Sequence, residues 1–251
     1  MDERKNIRMV VAYDGRHYHG WQRQAEATTI QGVLEDRIQR ITGESVKLIA
    51  SGRTDAGVHA LHQVCHFMTR SSLAPESIKR GLNALTPADI YVKETALAPL
   101  DFHARYSAKS KIYEYRVLNR EQPDPFLRFY TWHIPLKLDV AEIQACLPML
   151  VGRHDFSSFR SSGSGNTDPE RHIVRAELHR AEEGILRFIF EADGFLRHMV
   201  RNIVGTLMNV GLGKIGRDEF LEIFQARDRQ LAGIKAPPQG LFLTMVHYGS
   251  R

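Results

Sequence analysis

The sequence predicts an α+β protein in which the element order βαββαβ occurs twice. Two observations support this prediction. Segments of alternating polarity, which predict strands, are interspersed with segments whose apolar residues recur at the helical period, which predict helices. The same order then returns in the second half of the 251-residue chain, without obvious sequence repetition. A chain of this length can hold one large domain or two smaller ones, each with its own core.

The first half contains six expected elements. A strand at 7–13 is followed by the polar loop DGRHYHGWQRQ and then by a helix, because Thr28 and Gln31 have capping-box spacing and apolar residues recur until Gly43. The remaining elements are strands at 46–50, 62–68 and 89–97 and a helix at Pro75–Leu85.

The second half is expected to repeat this order. Strands are predicted at 111–119, 171–180, 184–193 and 240–248, and helices at 140–150, 195–210 and 218–225. The Gly/Ser-rich stretch FRSSGSGNTDPE is expected to be a mobile loop, which could order on a ligand. The βαββαβ order is typical of ferredoxin-like (RRM-like) domains. We therefore expect two such domains, at 1–105 and 106–251, with antiparallel sheets that meet at a central basic cleft.

Composition limits the function without deciding it. The chain has 34 Lys and Arg against 29 Asp and Glu, a net charge of +5 that permits a polyanionic partner without requiring one. No apolar run approaches the roughly 20 residues that cross a bilayer, and the start MDERKNIRMV resembles no targeting peptide, so a cytoplasmic location is expected. Cys65 and Cys146 lie far apart and favour neither a disulfide framework nor a zinc site.

The stretch SGRTDAGVHA is the first candidate site. Its glycines permit a close approach by a large partner, and Arg53 lies two residues from Asp55. A neighbouring guanidinium favours the ionised carboxylate, which can act as a nucleophile or a base. An Asx-type turn beside a surface arginine explains the same residues, so both interpretations stay open.

A second candidate is the loop that follows the first strand. It interleaves aromatic and basic residues, as suits a loop that contacts an RNA backbone and stacks on exposed bases. These residues are Tyr13, Arg16, Tyr18, Trp21 and Arg23. Trp21 is equally compatible with anchoring the loop in the core. A phosphate-binding track could continue through Arg105, Lys109 and Lys111, although each also fits a solvated surface.

Three histidines call for a metal check. His59, His62 and His66 have the spacing H-x-x-H-x-x-x-H, which would gather ligands on a helix. The surrounding pattern predicts a strand instead, with His62 and His66 on one face and His59 in the preceding loop. We expect no metal and favour polar or RNA contacts for these side chains.

Seven segments resemble the TruA-type pseudouridine synthases, which act on the tRNA anticodon stem-loop, and they occur in the order found in that family. They are AYDGRHYHGWQRQ, TIQGVLEDRI, SGRTDAGVHA, DFHARYSAKSKIYEYRVLN, HDFSSFR, DGFLRHMVRNIVGTLMNVG and APPQGLFLTMVHY. The resemblance covers nearly the whole chain. One departure is His172 in ERHIV, where the family more often has threonine.

The resemblance implies a reaction and roles for four residues. It implies isomerisation of uridine to pseudouridine at nucleotides 38, 39 and 40 of tRNA, without cofactor or metal, by a homodimer. Asp55 matches the catalytic aspartate, Arg201 the basic residue placed against it, and Tyr113 the tyrosine that stacks on the target base. Arg53 matches the residue that enters the stem as the base leaves. Tyr115 shares the strand face of Tyr113 and is favoured as a core aromatic.

Two other classes of function remain open. A non-catalytic RNA-binding protein uses the same fold, but the RRM signature with its paired sheet aromatics is absent from this sequence. A glycoside hydrolase also uses carboxylates, yet these motifs hold no second carboxylate to act as an acid partner for Asp55. The sequence also holds no GxGxxG or Walker signature for a nucleotide cofactor.

Overall fold

The computed structural model describes residues 4–161 and 168–249, which form two compact units. The first unit comprises the described residues up to Lys109 together with those from Phe242 onward, and the second is Ser110–Leu241. Both units combine helices with mostly antiparallel strands, which confirms the α+β class. Residues 162–167 of the expected Gly/Ser-rich loop lie outside the described residues.

The bounds of the elements are as follows. The strands are β1 (Lys5–Tyr13), β2 (Ile49–Ala50), β3 (His59–Thr69), β4 (Ile90–Ala98), β5 (Ala108–Asn119), β6 (Trp132–Ile134), β7 (Gly152–Asp155), β8 (Glu170–Arg180), β9 (Ile185–Ala192) and β10 (Leu241–Tyr248). The helices are α1 (Ile30–Thr42), α2 (Pro75–Leu85), α3 (Val140–Cys146), α4 (Met199–Gly211) and α5 (Arg217–Gln225).

In the first unit, β1 lies between β4 and β3 and is antiparallel to both. The edge of β3 that faces away from β1 pairs with two strands, β2 and β10. The short β2 pairs antiparallel with Cys65 and His66, whereas β10 pairs parallel with His59 and Ala60. Because β2 has only two residues, it leaves the other end of β3 open, and β10 occupies that end.

This pairing explains a difference from the expected domain bounds. The sequence analysis assigned the closing strand to a second domain at 106–251, whereas the structure groups the chain from Phe242 onward with the first unit. The first division also falls after Lys109 instead of at residue 105. The sequence of a strand gives its faces but not its partner, and the partner of β10 within this unit is β3.

Helix α1 shows how local sequence sets an element. Its apolar stripe of Ile30, Leu34 and Ile38 is fully buried, and Gly43 ends it in the left-handed conformation at φ 76°. The N-cap is Thr29, whose Oγ1 accepts a hydrogen bond from the Gly32 amide, and not the expected Thr28. Gln31 does not form a capping box, because its Oε1 accepts a hydrogen bond from the Arg23 amide and its Nε2 donates to Glu35 and to the Leu48 carbonyl.

The second unit has the strand order β5-β9-β8-β7, with neighbouring strands antiparallel and β6 parallel to β5. The short strands β6 and β7 were not expected from the sequence. Helix α3 ends at Cys146 and continues as a 3-10 turn to Leu150. Helix α4 begins at Met199 and not at 195, because His198 precedes it in the left-handed region at φ 64°. No helix in the described part of the chain is long and apolar enough to cross a membrane.

The capping assignment can be tested with neighbouring threonines. Thr29→Ala removes the acceptor for the Gly32 amide and should lower the free energy of unfolding by about 1 kcal/mol, as is usual for a lost N-cap. Thr28→Ala changes an exposed side chain and should have little effect. Urea unfolding of both variants measures the difference. Equal destabilisation by both would show that Thr29 is not the cap.

Candidate active site

The SGRTDAG motif forms the loop 51–58 between β2 and β3 in the first unit. Arg53 is exposed, Thr54 is buried and Asp55 is half-buried. The Asp55 carbonyl accepts a hydrogen bond from the Val58 amide at 3.1 Å, which closes a tight turn. Gly57 occupies the left-handed region at φ 77°, as this turn requires. The candidate carboxylate is thus carried by a turn with defined backbone geometry.

A network of buried hydrogen bonds holds this loop in place. The Ser51 hydroxyl donates to Gln63 Oε1 at 2.7 Å, and Gln63 Nε2 donates to the Gly52 carbonyl at 2.9 Å. The hydroxyls of Tyr13 and Thr54 share a hydrogen bond of 2.8 Å. Buried polar groups are costly without partners, so these contacts favour one loop conformation. The network contacts the chain on both sides of Arg53.

Close backbone approaches hold the loop 14–21 against the Asp55 loop. A Cβ atom at Gly15 would lie 2.0 Å from the Val58 carbonyl oxygen, and one at Gly20 would lie 2.6 Å from that of Thr54. The Trp21 amide donates to the same Thr54 carbonyl at 3.0 Å. Only glycine allows such contact between backbones. We call the loops 14–21 and 51–58 the paired loops.

The three aromatic residues expected to contact RNA are buried, with Tyr13 at the end of β1 and Tyr18 and Trp21 in the loop 14–21. Tyr13, Tyr18 and Trp21 are each no more than 6% exposed. Burial raises the pKa of the Tyr13 and Tyr18 hydroxyls, and the latter donates to Asp89 at 2.5 Å. In this structure the three rings support the paired loops. Trp21 anchors its loop in the core, which is one of the two interpretations that the sequence left open.

The basic residues expected on the RNA surface differ in their surroundings. Arg16 donates from Nε to Asp14 at 2.8 Å, and Arg23 pairs with Glu35 and Asp36 at 3.2 and 3.0 Å. These pairs raise the pKa of Arg23, with the Glu35 hydrogen bond as the largest cause. Their charges are therefore partly compensated by carboxylates. Arg105 and Lys109 are exposed in the first unit, and Lys111 is half-buried in the second.

The second unit holds the other candidate residues. Tyr113 on β5 is 8% exposed, and its ring meets Phe195 edge-on at 5.0 Å between centroids. Arg201 on α4 is buried, and its Nε donates to the Ala236 carbonyl at 2.7 Å. The Arg201 carbonyl in turn accepts from the Ala236 amide at 3.1 Å. These reciprocal bonds fix the guanidinium relative to the segment that carries Ala236.

The structure separates Tyr113 from its neighbour Tyr115. Tyr115 is fully buried, and its hydroxyl donates to the Pro237 carbonyl at 2.8 Å. Burial raises the pKa of this phenol, and the nearby charge of Arg201 offsets only part of that rise. Tyr115 is therefore a core aromatic, as the sequence analysis favoured, and has no exposed group with which to contact a substrate.

The histidines of β3 lie in unlike surroundings. His59 is the first residue of β3 and not part of the preceding loop, and its ring stacks on Phe242 at 4.7 Å. His59 Nδ1 also accepts a hydrogen bond from the Gly15 amide at 3.2 Å. His66 Nδ1 accepts from the Ala104 amide, and burial lowers the pKa of both His62 and His66. Within residues 4–161 and 168–249, no group of three His, Cys, Asp or Glu side chains is placed to hold a metal.

Comparison with known proteins decides the family. A family model described as tRNA pseudouridine synthase matches residues 9–107 and 147–249. The chain belongs to this family. The tRNA pseudouridine synthases A of Thermoanaerobacter sp. (strain X514) and Acetivibrio thermocellus are each 46% identical to it over 244 residues, covering 97% of this chain and 100% of theirs. That of Geobacillus sp. (strain WCH70) is 44% identical over 245 residues, covering 97% of this chain and 98% of its own.

Membership establishes the broad class of the protein. The relatives are isomerases, so this chain is an enzyme of that kind, and the resemblance seen in the seven motifs is confirmed. A solved structure of an archaeal box H/ACA sRNP Nop10-Cbf5 complex aligns at 12% identity with a TM-score of 0.37, covering 80% of this chain and 43% of that chain. That likeness is too low to add to the assignment.

Gln63 was not singled out by the sequence, and its role in the loop can be tested. Gln63→Leu leaves Ser51 and the Gly52 carbonyl without their buried partner and should lower the free energy of unfolding by about 1–3 kcal/mol. Gln24→Leu is the matched control, because Gln24 makes a single exposed hydrogen bond to the His19 carbonyl. Urea denaturation measures both. A Gln63→Leu protein as stable as the control would contradict the network.

Proposed function

We propose that this enzyme isomerises uridine to pseudouridine at nucleotides 38, 39 and 40 of the tRNA anticodon stem-loop, with Asp55 as the catalytic carboxylate. Family membership supports the reaction class. The observation that carries the residue assignment is the placement of Asp55, half-buried on a turn held by the buried network on one side and by loop 14–21 on the other. Such a group is held in place and still reachable.

The chemistry requires an ionised carboxylate and no change of oxidation state. The C1′–N1 bond of uridine breaks, the base rotates, and a bond forms between C1′ and C5. The proton on C5 is lost and one is gained at N1, so the product is an isomer of the substrate. Asp55 either attacks C1′ or removes a proton from C2′ to give a glycal, and both routes begin from the charged oxygen. Neither route needs a metal, a nicotinamide or another cofactor.

Three further residues complete the proposed site. Tyr113 stacks on the everted base, and its packing against Phe195 limits the positions its ring can take. Arg201 is the basic residue assigned to pair with Asp55, and the bond from its Nε to the Ala236 carbonyl supports this by orienting the guanidinium. Arg53, which is exposed beside Asp55, enters the stem in place of the everted base. Asp55 and Arg53 belong to the first unit, whereas Tyr113 and Arg201 belong to the second.

We also propose the architecture that the sequence analysis expected. Each unit is ferredoxin-like, the two sheets meet at a basic cleft, and a homodimer in the cytoplasm forms the RNA surface from both copies. The order β4-β1-β3 with β2 on the far edge of β3 supports the ferredoxin-like assignment of the first unit. Arg105, Lys109 and Lys111 contribute phosphate contacts in this proposal.

One assay separates this function from the alternatives. Undermodified tRNA is incubated with the enzyme, and the products are mapped by nucleotide. The proposal expects pseudouridine at nucleotides 38–40 and no released base. Retention of tRNA without chemical change would indicate a binding protein, and release of free uracil would indicate hydrolysis of the glycosidic bond.

Asp55→Asn should separate binding from chemistry. The amide keeps the size of the side chain but loses its charge, so turnover should fall by at least about a thousandfold, the scale seen when a catalytic nucleophile is removed. Affinity for tRNA should be retained, because phosphate contacts supply most of it. Asp218→Asn, which removes an exposed carboxylate on α5, serves as the charge-matched control. Turnover by pure Asp55→Asn within about a hundredfold of the wild type would refute the assignment.

Chelation tests the proposed independence from metal. Dialysis against excess EDTA should leave the initial rate of pseudouridine formation unchanged, because no step in the mechanism needs a Lewis acid. Loss of activity that added zinc restores would show that metal binding was missed, with the histidines of β3 as the first residues to examine.

A further inference from the structure

Tyr106 is an exposed aromatic residue that lies outside the proposed catalytic residues. Tyr106 is 78% exposed, in the segment 99–107 that joins β4 to β5. A ring this exposed gains little from burial, so the hydrophobic core gives no reason for its presence. Single exposed aromatics are common, and the case for a function here depends on how this ring is held.

The Tyr106 ring is held in a fixed orientation by its neighbours. It stacks on the His103 imidazole, with 4.3 Å between ring centroids and 25° between planes. The guanidinium carbon of Arg105 lies 5.8 Å from the centroid of the same ring, within the range of a cation–π contact. His103 stacks on one face of the ring, and Tyr106 nevertheless remains 78% exposed, so much of the ring is accessible to a partner.

The backbone beneath the ring is tied down in a way unusual for a surface loop. His103 Nδ1 accepts hydrogen bonds from the amides of Arg105 and Tyr106, both at 3.2 Å. Ala104, which lies between His103 and Arg105, donates its amide to the buried His66, and its carbonyl accepts from the Tyr248 hydroxyl at 2.6 Å. The ring is thus presented on a turn that is ordered before any partner arrives, which lowers the entropic cost of binding.

The charges nearby fit an anionic partner. Arg105 and Lys109 are both exposed in this part of the first unit. Arg16 and Arg23 are by contrast hydrogen-bonded to carboxylates. An open aromatic face beside exposed cations is the combination that binds unpaired nucleotides, with the base on the ring and the phosphate near the guanidinium.

We propose that Tyr106, backed by His103 and flanked by Arg105, is a stacking platform for an unpaired base of the tRNA substrate. The inference rests on the proposed function and concerns a nucleotide other than the one isomerised. Tyr113 is buried and packs against Phe195, and it is the residue assigned to the reacting base. Tyr106 belongs to the first unit and supplies binding energy alone. Its loss raises KM and Kd for tRNA and leaves kcat at saturation unchanged.

The test compares Tyr106→Leu with Tyr106→Phe. The leucine removes the flat ring, and affinity for tRNA should fall by about fivefold to about 100-fold, the range expected for one lost base–aromatic stack. The phenylalanine keeps the ring and should bind like the wild type. Tyr91→Leu is the matched control, since Tyr91 is an exposed tyrosine of the same unit on β4 and should not affect binding. Circular dichroism confirms that each variant is folded.

Salt dependence separates stacking from charge. Arg105→Gln should lower the slope of log Kd against log salt by about 1, as expected for the loss of one phosphate contact, whereas Tyr106→Leu should leave the slope unchanged. A change of slope for Tyr106→Leu equal to that for Arg105→Gln would contradict the stacking role.

Other outcomes distinguish the platform from the proposed function. If the wild type forms pseudouridine but Tyr106→Leu binds tRNA as tightly as the wild type, the platform is refuted and the function stands. If Tyr106→Leu alters the sedimentation of the protein without altering tRNA affinity, the ring contacts a second copy of the chain and the inference is also refuted. If the wild type binds tRNA but isomerises no uridine, the proposed function fails, and weaker binding by Tyr106→Leu alone still supports the platform.

Discussion

The hydrogen bonds of Gln63 and Tyr13 to the loop 51–58 are the interactions on which the rest of this account depends. The loop has few side chains to pack, and its glycines leave the backbone many alternative conformations. Each buried hydrogen bond contributes only about 0.5–1.5 kcal/mol net, but leaving one of these groups unpaired costs more than the bond gains. The conformation that carries Asp55 is therefore favoured mainly because alternative conformations would leave buried polar groups without hydrogen-bond partners.

The remaining features of the first unit follow from that requirement. Tyr13, Tyr18 and Trp21 fill the space beneath the paired loops, and Gly15 and Gly20 allow the two backbones to touch. Aromatic residues that look suited to an RNA surface are thus used to build a rigid base for the carboxylate. Tyr106, by contrast, is exposed and is held by its own hydrogen-bonded turn. The paired loops and the turn that carries Tyr106 are both ordered before substrate binds, which lowers the entropic cost of binding.

Much of the fold could be predicted from sequence because periodicity reports local geometry directly. Helix α2 has the expected bounds, since Pro75 suits the first turn and the apolar spacing is regular. The failures depend on information that lies elsewhere in the chain. Thr28 and Thr29 are equally good caps by type, and the start of α4 depends on a left-handed His198 that the apolar periodicity does not report. The partner of β10 is set by the shortness of β2.

The residues assigned to the site are predictions from sequence motifs, and the sequence did not predict their surroundings. Motifs singled out Asp55, Arg53, Tyr113 and Arg201, yet the sequence does not show that Arg201 is buried or that its Nε is bonded to Ala236. The sequence analysis did not single out Gln63, because a glutamine in a strand gives no specific signal for a hydrogen-bonding role. The interleaved aromatics of the first loop were ambiguous for the same reason, since sequence alone does not tell an inward ring from an outward one.

The most direct measurement is a crystal structure of Asp55→Asn with a tRNA anticodon stem-loop, because the amide preserves the position of the side chain and blocks turnover. The account predicts an everted uridine whose C1′ or C2′ lies within about 3–3.5 Å of the residue 55 side chain, the separation of reacting groups poised for chemistry. A uridine left stacked in the stem, or held with its ribose out of reach of that side chain, would contradict it.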